Sequence, residues 1–249
     1  MLTTGCLIVL LTVGSYAILP LPHYIKACVT TDATFVECAL QHGNEAIPYI
    51  VKGDRSYKIM KMDPMNIAEI QVRNGPRQAG LFLTMRDLEL HGLKNAVLLK
   101  SDFNFDKRHF SHNFQVPLVR LTGKYSVSGK VLLLPIFGNG DMNVTMVNNT
   151  LSYSYDWDLK QMGDYRHMIL KNSKAEIKPS RAFIHLSNLF DGDKLLGNQI
   201  NGFLTENWQE LFRDIGPTVA GAISEAVTSV VNGISKEVPY DDIFPASLP

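Results

Sequence analysis

Asp102, Asp106, His109 and His112 bring carboxylates and imidazoles together in one short stretch, the groups that ligate zinc or move protons. In a strand, positions three apart face opposite sides, so His109 and His112 diverge. This stretch is read as a solvated hairpin rim rather than a joint metal or acid–base site. Asp191-Gly192-Asp193 has the opening of a calcium loop but lacks the later acidic ligands and the bidentate Glu, and is read as a helix N-cap. Gly138-Asn139-Gly140 is glycine-rich but sits in a hairpin-like context, where a phosphate cradle has no following helix. HExxH, GxSxG, the Walker loop and GxGxxG before a helix are all missing, and no spacing pairs a nucleophile with a base. The expectation is a protein with no catalytic residue, no metal and no cofactor.

The bulk numbers narrow the partners. The chain has 249 residues with Lys+Arg 24 against Asp+Glu 24. A balanced charge argues against nucleic acid, whose phosphates need a basic surface. After the first residues there is no apolar run of membrane-spanning length, so stable membrane insertion is not expected. Met1–Ala17 reads as a secretory signal: Cys6–Val13 is a short apolar core and Ser15-Tyr16-Ala17 places small residues at the cleavage-setting positions. The rest, residues 18–249, is read as one domain of an extracellular protein. It keeps Cys28 and Cys38, and an even count in an exported chain points to one disulfide, with two free thiols or half a metal site as the alternatives. Two sequons, Asn143-Val-Thr145 and Asn148-Asn-Thr150, mark Asn143 and Asn148 as glycosylation candidates.

The elements that would position any site fall into two kinds. A first helix is expected from Asp32, as N-cap, to about Val51, with Gly43 and Pro48 weakening its second half. From about Ile67 to Phe190 the apolar period is two. Leu151, Tyr153, Tyr155, Trp157 and Leu159 alternate with polar residues, and Leu81, Leu83 and Met85 share a face whose phase shifts at Leu88 and Leu90, which predicts a bulge. Phe110, Phe114 and Val116 make another strand, and Tyr125, Val127, Val131 and Leu133 the next. Turns are expected at Asn74-Gly75-Pro76, Gly123-Lys124, Gly138-Asn139-Gly140-Asp141 and Asn148-Asn149. Leu196 to Ile234 carries apolar residues at steps of three and four, which predicts one long amphipathic helix with a kink at Gly216-Pro217.

A large antiparallel sheet followed by one long helix is an α+β architecture, and a strongly twisted sheet can curl around the helix and bury it. The greasy helix face must be covered by the sheet or by a ligand. Phe203, Trp208 and Phe212 are therefore either core or cavity wall. Tyr125, Tyr153, Tyr155 and Tyr165, each with an apolar body and a hydroxyl, are candidates to select a ligand.

Motifs along the chain resemble the insect takeout / juvenile-hormone-binding protein family. They include Cys28 with Phe35-Val36-Glu37-Cys38, Asp63-Pro64-Met65-Asn66-Ile67 and Gly123-Lys124-Tyr125. Further along come Leu134-Pro135-Ile136-Phe137-Gly138-Asn139-Gly140, Asn188-Leu189-Phe190-Asp191-Gly192-Asp193-Lys194, Phe203-Leu204-Thr205-Glu206-Asn207-Trp208 and Val238-Pro239-Tyr240-Asp241-Asp242-Ile243-Phe244-Pro245. The resemblance implies a highly curved antiparallel sheet wrapped around a long helix, the tubular lipid-binding architecture also seen in bactericidal/permeability-increasing proteins. It implies a secreted carrier whose partner is a small elongated hydrophobic ligand, such as a terpenoid hormone, fatty acid or isoprenoid, held in a tunnel; a monomer is expected. The family's cysteine pair maps onto Cys28 and Cys38. Hormone-binding members of the moth type carry a second disulfide for which this chain has no cysteines, so the takeout-like branch is the nearer fit. The alternatives are a membrane-surface lipid-transfer or defence protein, and a secreted lipid-ester hydrolase.

Overall fold

A computed structural model describes residues 18–74, 80–132 and 134–247. The expected leader Met1–Ala17, the Gly75-Pro76 part of the first turn and Leu133 lie outside the described residues. Among the described residues seven strands form one antiparallel sheet: β1 (Met65–Asn74), β2 (Leu81–His91), β3 (Val97–Asn104), β4 (His109–Val131), β5 (Leu134–Met162), β6 (Tyr165–Lys178) and β7 (Arg181–Leu186). The helices are α1 (Phe35–Ile50) ahead of the sheet and α2 (Lys194–Glu206), α3 (Trp208–Glu237) and α4 (Tyr240–Ile243) after it. The sheet curves around α3, which buries Leu211, Ala220, Ile223, Val230 and Ile234 in its core.

The frame is the long pair β4–β5, joined in register from His109↔Asp156 to Val131↔Leu134. Neither strand keeps one outer neighbour. β4 pairs with β3 over His109–Gln115 and with β2 over Arg120–Gly129. β5 pairs with β7 over Met142–Val147 and with β6 from Thr150 onward. Both changes fall at one waist, around Val116–Val119 on β4 and Val147–Asn149 on β5. The sheath thus has two halves, one completed by β1, β2 and β7 and the other by β3 and β6.

Three expected turns lie inside strands. Gly123-Lys124 pairs with Asp141-Met142, and Gly138–Asp141 pairs with Val127–Lys124. A glycine in a strand also marks a place where another backbone comes close, and that is its role here. A Cβ on Gly123 would meet the Arg86 carbonyl at 2.7 Å, and one on Gly140 would meet the Ser187 carbonyl at 2.6 Å. Asn148-Asn149 sits at the waist. Asn148 has φ 48, and the buried Asn149 amide donates to the Val116 and Met146 carbonyls, 3.0 Å each. The strands expected at Phe110–Val116 and from Tyr125 through Val131 are one strand, β4. The predicted bulge in β2 is present: the register with β4 slips between Arg86 and Glu89, and Asp87 takes φ 51.

The helices also depart from expectation at their ends. α1 starts at Phe35, because Asp32 spends its carboxylate on the Thr34 amide and hydroxyl, 2.8 and 2.9 Å, an Asx turn ahead of the helix. It runs through both Gly43 and Pro48. Gly43 is where β3 packs closest, a Cβ there lying 2.8 Å from Leu98 Cδ2, and the Asn44 side chain brackets Leu98 by accepting from its N–H and donating to its carbonyl. The expected single helix Leu196–Ile234 is broken at Asn207 (φ −101, ψ 28), while α3 continues through Gly216-Pro217. The break follows from what holds α2. Asn201 and Thr205 each accept from and donate to the backbone of β7, at Leu186 and Ile184, and so occupy its open edge. α2 is pinned to the sheet edge and α3 to the sheet interior, and one straight rod cannot satisfy both. At the start of α2, Asp193 accepts from the Leu195 and Leu196 amides, the N-cap read from the sequence.

Candidate ligand-binding site

In the half completed by β2 and β7, inward positions follow the period-two phase: Leu81, Leu83 and Met85 on β2, Leu121, Tyr125, Val127 and Val131 on β4, Ile136, Met142, Val144 and Met146 on β5, and Ile184 and Leu186 on β7. Leu204 from α2 and Leu211, Phe212, Ile215, Gly216 and Val219 from α3 close the other side. Between them lies a cavity of ≈ 110 Å³ whose wall is almost entirely hydrocarbon. The inward glycines of β4 and β5 do not open onto this space: a Cβ at Gly123, Gly129, Gly138 or Gly140 would meet the backbone of Arg86, Gly80, Asn188 or Ser187, so the cavity lies among the aliphatic side chains of the sheet and α3. The one hydroxyl within reach is turned away: Tyr125 donates to the Ser187 carbonyl at 2.6 Å, and burial pushes its pKa up to about 12. A cavity of this chemistry excludes water and favours an apolar guest.

The half completed by β3 and β6 is filled. Phe110, Tyr155, Trp157, Met168 and Leu170 form a buried cluster with Phe103, Phe105, Tyr240 and Phe244 packed against it. Ring centroids lie 5.0 Å apart for Phe103–Phe110, 5.1 Å for Phe105–Phe110 and 5.4 Å for Trp157–Tyr240, mostly edge to face. On the β3/β6 side, where β6 meets α3, a wider groove of ≈ 780 Å³ opens to solvent, bordered by His112, Tyr153, Lys174, Arg213, Pro217 and neighbours.

Of the seven residues named from sequence as candidate ligand contacts, Tyr125 and Phe212 line the cavity. Trp208 is buried one turn before Phe212, edge-on to its ring at 5.8 Å, and Phe203 packs half-buried against the main core; neither is among the lining residues. Tyr153 and Tyr155 belong to the aromatic half. Tyr153 shares a hydrogen bond with the Thr228 hydroxyl at 2.8 Å and also borders the groove. Burial raises the pKa of both tyrosines. Tyr165 lies exposed at the start of β6. The residues missed were the methionines 85, 142 and 146 and the helix positions Leu211, Ile215 and Val219. The alternation of Met142, Val144 and Met146 with Asn143 and Thr145 puts those three on the apolar face; that this face borders a cavity is not legible in the alternation.

The remaining candidates also have places. Cys28 and Cys38 are joined in a disulfide, and Asn143 and Asn148 are exposed on β5. His109 Nδ1 meets the Asp156 carboxylate at 2.7 Å on the outer surface, whereas His112 turns inward to the Ser101 hydroxyl at 2.9 Å. The two do not converge. Among the described residues, Cys28, Cys38 and His42 do bring ligand-type atoms together, with His42 Nδ1 3.3 Å from Cys28 Sγ. Both sulfurs are spent in the disulfide and have no thiolate to offer a cation.

Comparison with known proteins bears on this geometry. The circadian clock-controlled protein daywake of Drosophila yakuba is 25% identical over 233 residues, covering 90% of this chain and 88% of its own. Its Drosophila melanogaster counterpart is 24% identical over 231 residues, with the same coverage of both chains. The crystal structure of Epiphyas postvittana Takeout 1 superposes with a TM-score of 0.80 at 23% identity, covering 89% of this chain and 100% of that one, and so has the same fold. The family model described as haemolymph juvenile hormone binding protein (JHBP) matches residues 6–245. With nearly the whole chain matched and the sheathed-helix fold in place, the chain belongs to the haemolymph juvenile hormone binding protein family.

Proposed function

We propose that this protein is a secreted carrier that holds an elongated hydrophobic molecule, of terpenoid, fatty-acid or isoprenoid type, in the cavity between the curved sheet and α3. The observation that carries this reading is the cavity itself: ≈ 110 Å³ of space with a hydrocarbon wall and with its nearest hydroxyl already hydrogen-bonded elsewhere. Each buried methylene contributes about 0.8 kcal/mol, so roughly ten of them give about 8 kcal/mol before ordering costs, an upper bound that corresponds to about micromolar binding without any polar contact. The family membership supports the same reading. Among the described residues no helix is long and apolar enough to cross a membrane.

Removal of Met1–Ala17, glycosylation at Asn143 and Asn148, and a monomeric state belong to the proposal. Intact mass before and after enzymatic deglycosylation, and the N-terminal sequence of protein secreted from insect cells, check the first two; sedimentation equilibrium checks the third. The carrier reading is tested by titrating the purified protein with a fluorescent fatty-acid probe and displacing it with terpenoids, fatty acids and quinones. One-to-one saturable binding without turnover is expected. Failure of every class at saturating concentration overturns it.

A further inference from the structure

The cavity is small for the guest it is asked to hold. An apolar cavity of roughly 150 Å³ takes a benzene-sized molecule, so ≈ 110 Å³ receives a ring or a short length of chain, and the rest of an elongated guest must lie elsewhere. The aromatic half is filled. The open direction is sideways. Phe212 and Gly216 border both the apolar cavity and the groove at the β6–α3 seam, so two residues separate the two spaces.

That wall is thin. Gly216 has no side chain, and the Phe212 ring lies across it, Cδ1 being 3.6 Å from where a Gly216 Cβ would sit. Rotating one half-buried side chain joins the two spaces, a movement of ordinary rotamer kind. The helix ladder is also weakened here, because Pro217 has no N–H to donate to the Arg213 carbonyl. Beyond the wall the chemistry changes. The ion pairs near the groove are His109–Asp156 at 2.7 Å and Lys178–Glu176 at 2.9 Å. They leave Arg213 and Lys174 without a carboxylate in salt-bridge range among the described residues, although Lys174 lies near enough to Asp156 to help hold that carboxyl down.

We propose that the guest lies across the Phe212–Gly216 wall, its apolar part in the cavity and its head group in the groove, where Arg213 and Lys174 select an anionic head over a neutral one. The proposal rests on the carrier reading and adds to it a lateral route and a head-group preference. A charge-assisted bond to a carboxylate corresponds to roughly tenfold or more in affinity.

The test is calorimetric titration of the full chain with a series of straight-chain carboxylic acids, from short to long, and with their methyl esters. Acids are expected to bind about tenfold or more tightly than the matching esters. In the double variant Arg213→Gln, Lys174→Gln that preference should vanish while ester affinity stays. Gly216→Val, which props the Phe212 ring shut, should weaken long members more than short ones. Equal binding of acids and esters, or a preference that survives in the double variant, overturns the proposal. Failure of acids and esters alike also overturns the head-group proposal, whereas the carrier reading falls only if terpenoid and quinone probes fail as well, a separate result. The two charged positions are exposed, so they decide the matter even where Gly216→Val fails to fold.

Discussion

Around the end of β4 and β5 that meets β2 and β7 the sheath is aliphatic and hollow; around the end that meets β3 and β6 it is aromatic and filled. The same two strands build both, with the same alternation of inward and outward residues. What differs is volume. On one side of the waist the inward positions include four glycines interleaved with Val, Leu, Ile and Met, and on the other they are Phe110, His112, Tyr153, Tyr155 and Trp157. Planar rings tile edge to face with little left over, whereas the aliphatic side chains from β2, β4, β5, β7 and α3 leave an apolar gap between them. Hydrophobic patterning thus sets where a core forms, and side-chain size sets whether it closes.

Each half contains one of the two tryptophans, Trp208 beside the cavity wall and Trp157 in the aromatic cluster, so each reports separately. The largest expected effect is at the filled end. Phe110, fully buried among Phe103, Phe105, Tyr155 and Trp157, should cost about 3–5 kcal/mol when truncated to Ala, measured by urea unfolding. A cost under about 1 kcal/mol would mean that the cluster is not the tight body described.

Acid should act on the same end next. Burial pulls His112 from 6.5 down to about 4. The native state therefore holds fewer protons than the unfolded chain across that window. The contribution is fully present above pH 6.5 and is lost as pH falls toward about 4, amounting to about 3 kcal/mol. In His112→Gln this part of the pH dependence should flatten, with Trp157 emission following the change more than Trp208.

Filling distinguishes the halves directly. Val144→Phe, facing the cavity, should leave the melting temperature unchanged or higher and abolish probe binding. Leu170→Phe, in the aromatic cluster, should cost about 1–3 kcal/mol by overpacking and leave binding intact. Equal destabilisation by both would remove the distinction between hollow and filled. The smallest effect is expected from Tyr125→Phe, which deletes the bond to the Ser187 carbonyl and should cost about 1 kcal/mol with ligand affinity preserved. A large loss of affinity would instead make that hydroxyl a ligand contact.

Much of the scaffold was legible in advance. The period-two run, the bulge at Asp87, the Asp193 cap and the amphipathic C-terminal segment are local signals, each set by residues a few positions apart. The turns at Gly123-Lys124, Gly138–Asp141 and Asn148-Asn149 were misplaced because glycine and asparagine serve equally at a turn and where two backbones touch. Which applies depends on Arg86 and Ser187, distant in the chain. The ligand site was legible only in part. Tyr125 and Phe212 reach the cavity, while Tyr153 and Tyr155, of the same residue type and phase, fall beyond the waist.

Alone, the order of residues determined that a long apolar helix face would be wrapped by an alternating sheet, because side-chain periodicity is a property of the local backbone. For Cys28 and Cys38 the sequence favoured a disulfide with free thiols or half a metal site open beside it, and the structure joins them. Tertiary structure decided where β4 and β5 change neighbours, where the helix breaks to let α2 cover β7, and which half keeps its space. Those outcomes depend on the volumes of side chains brought together from strands far apart in the chain, and no local pattern encodes that sum.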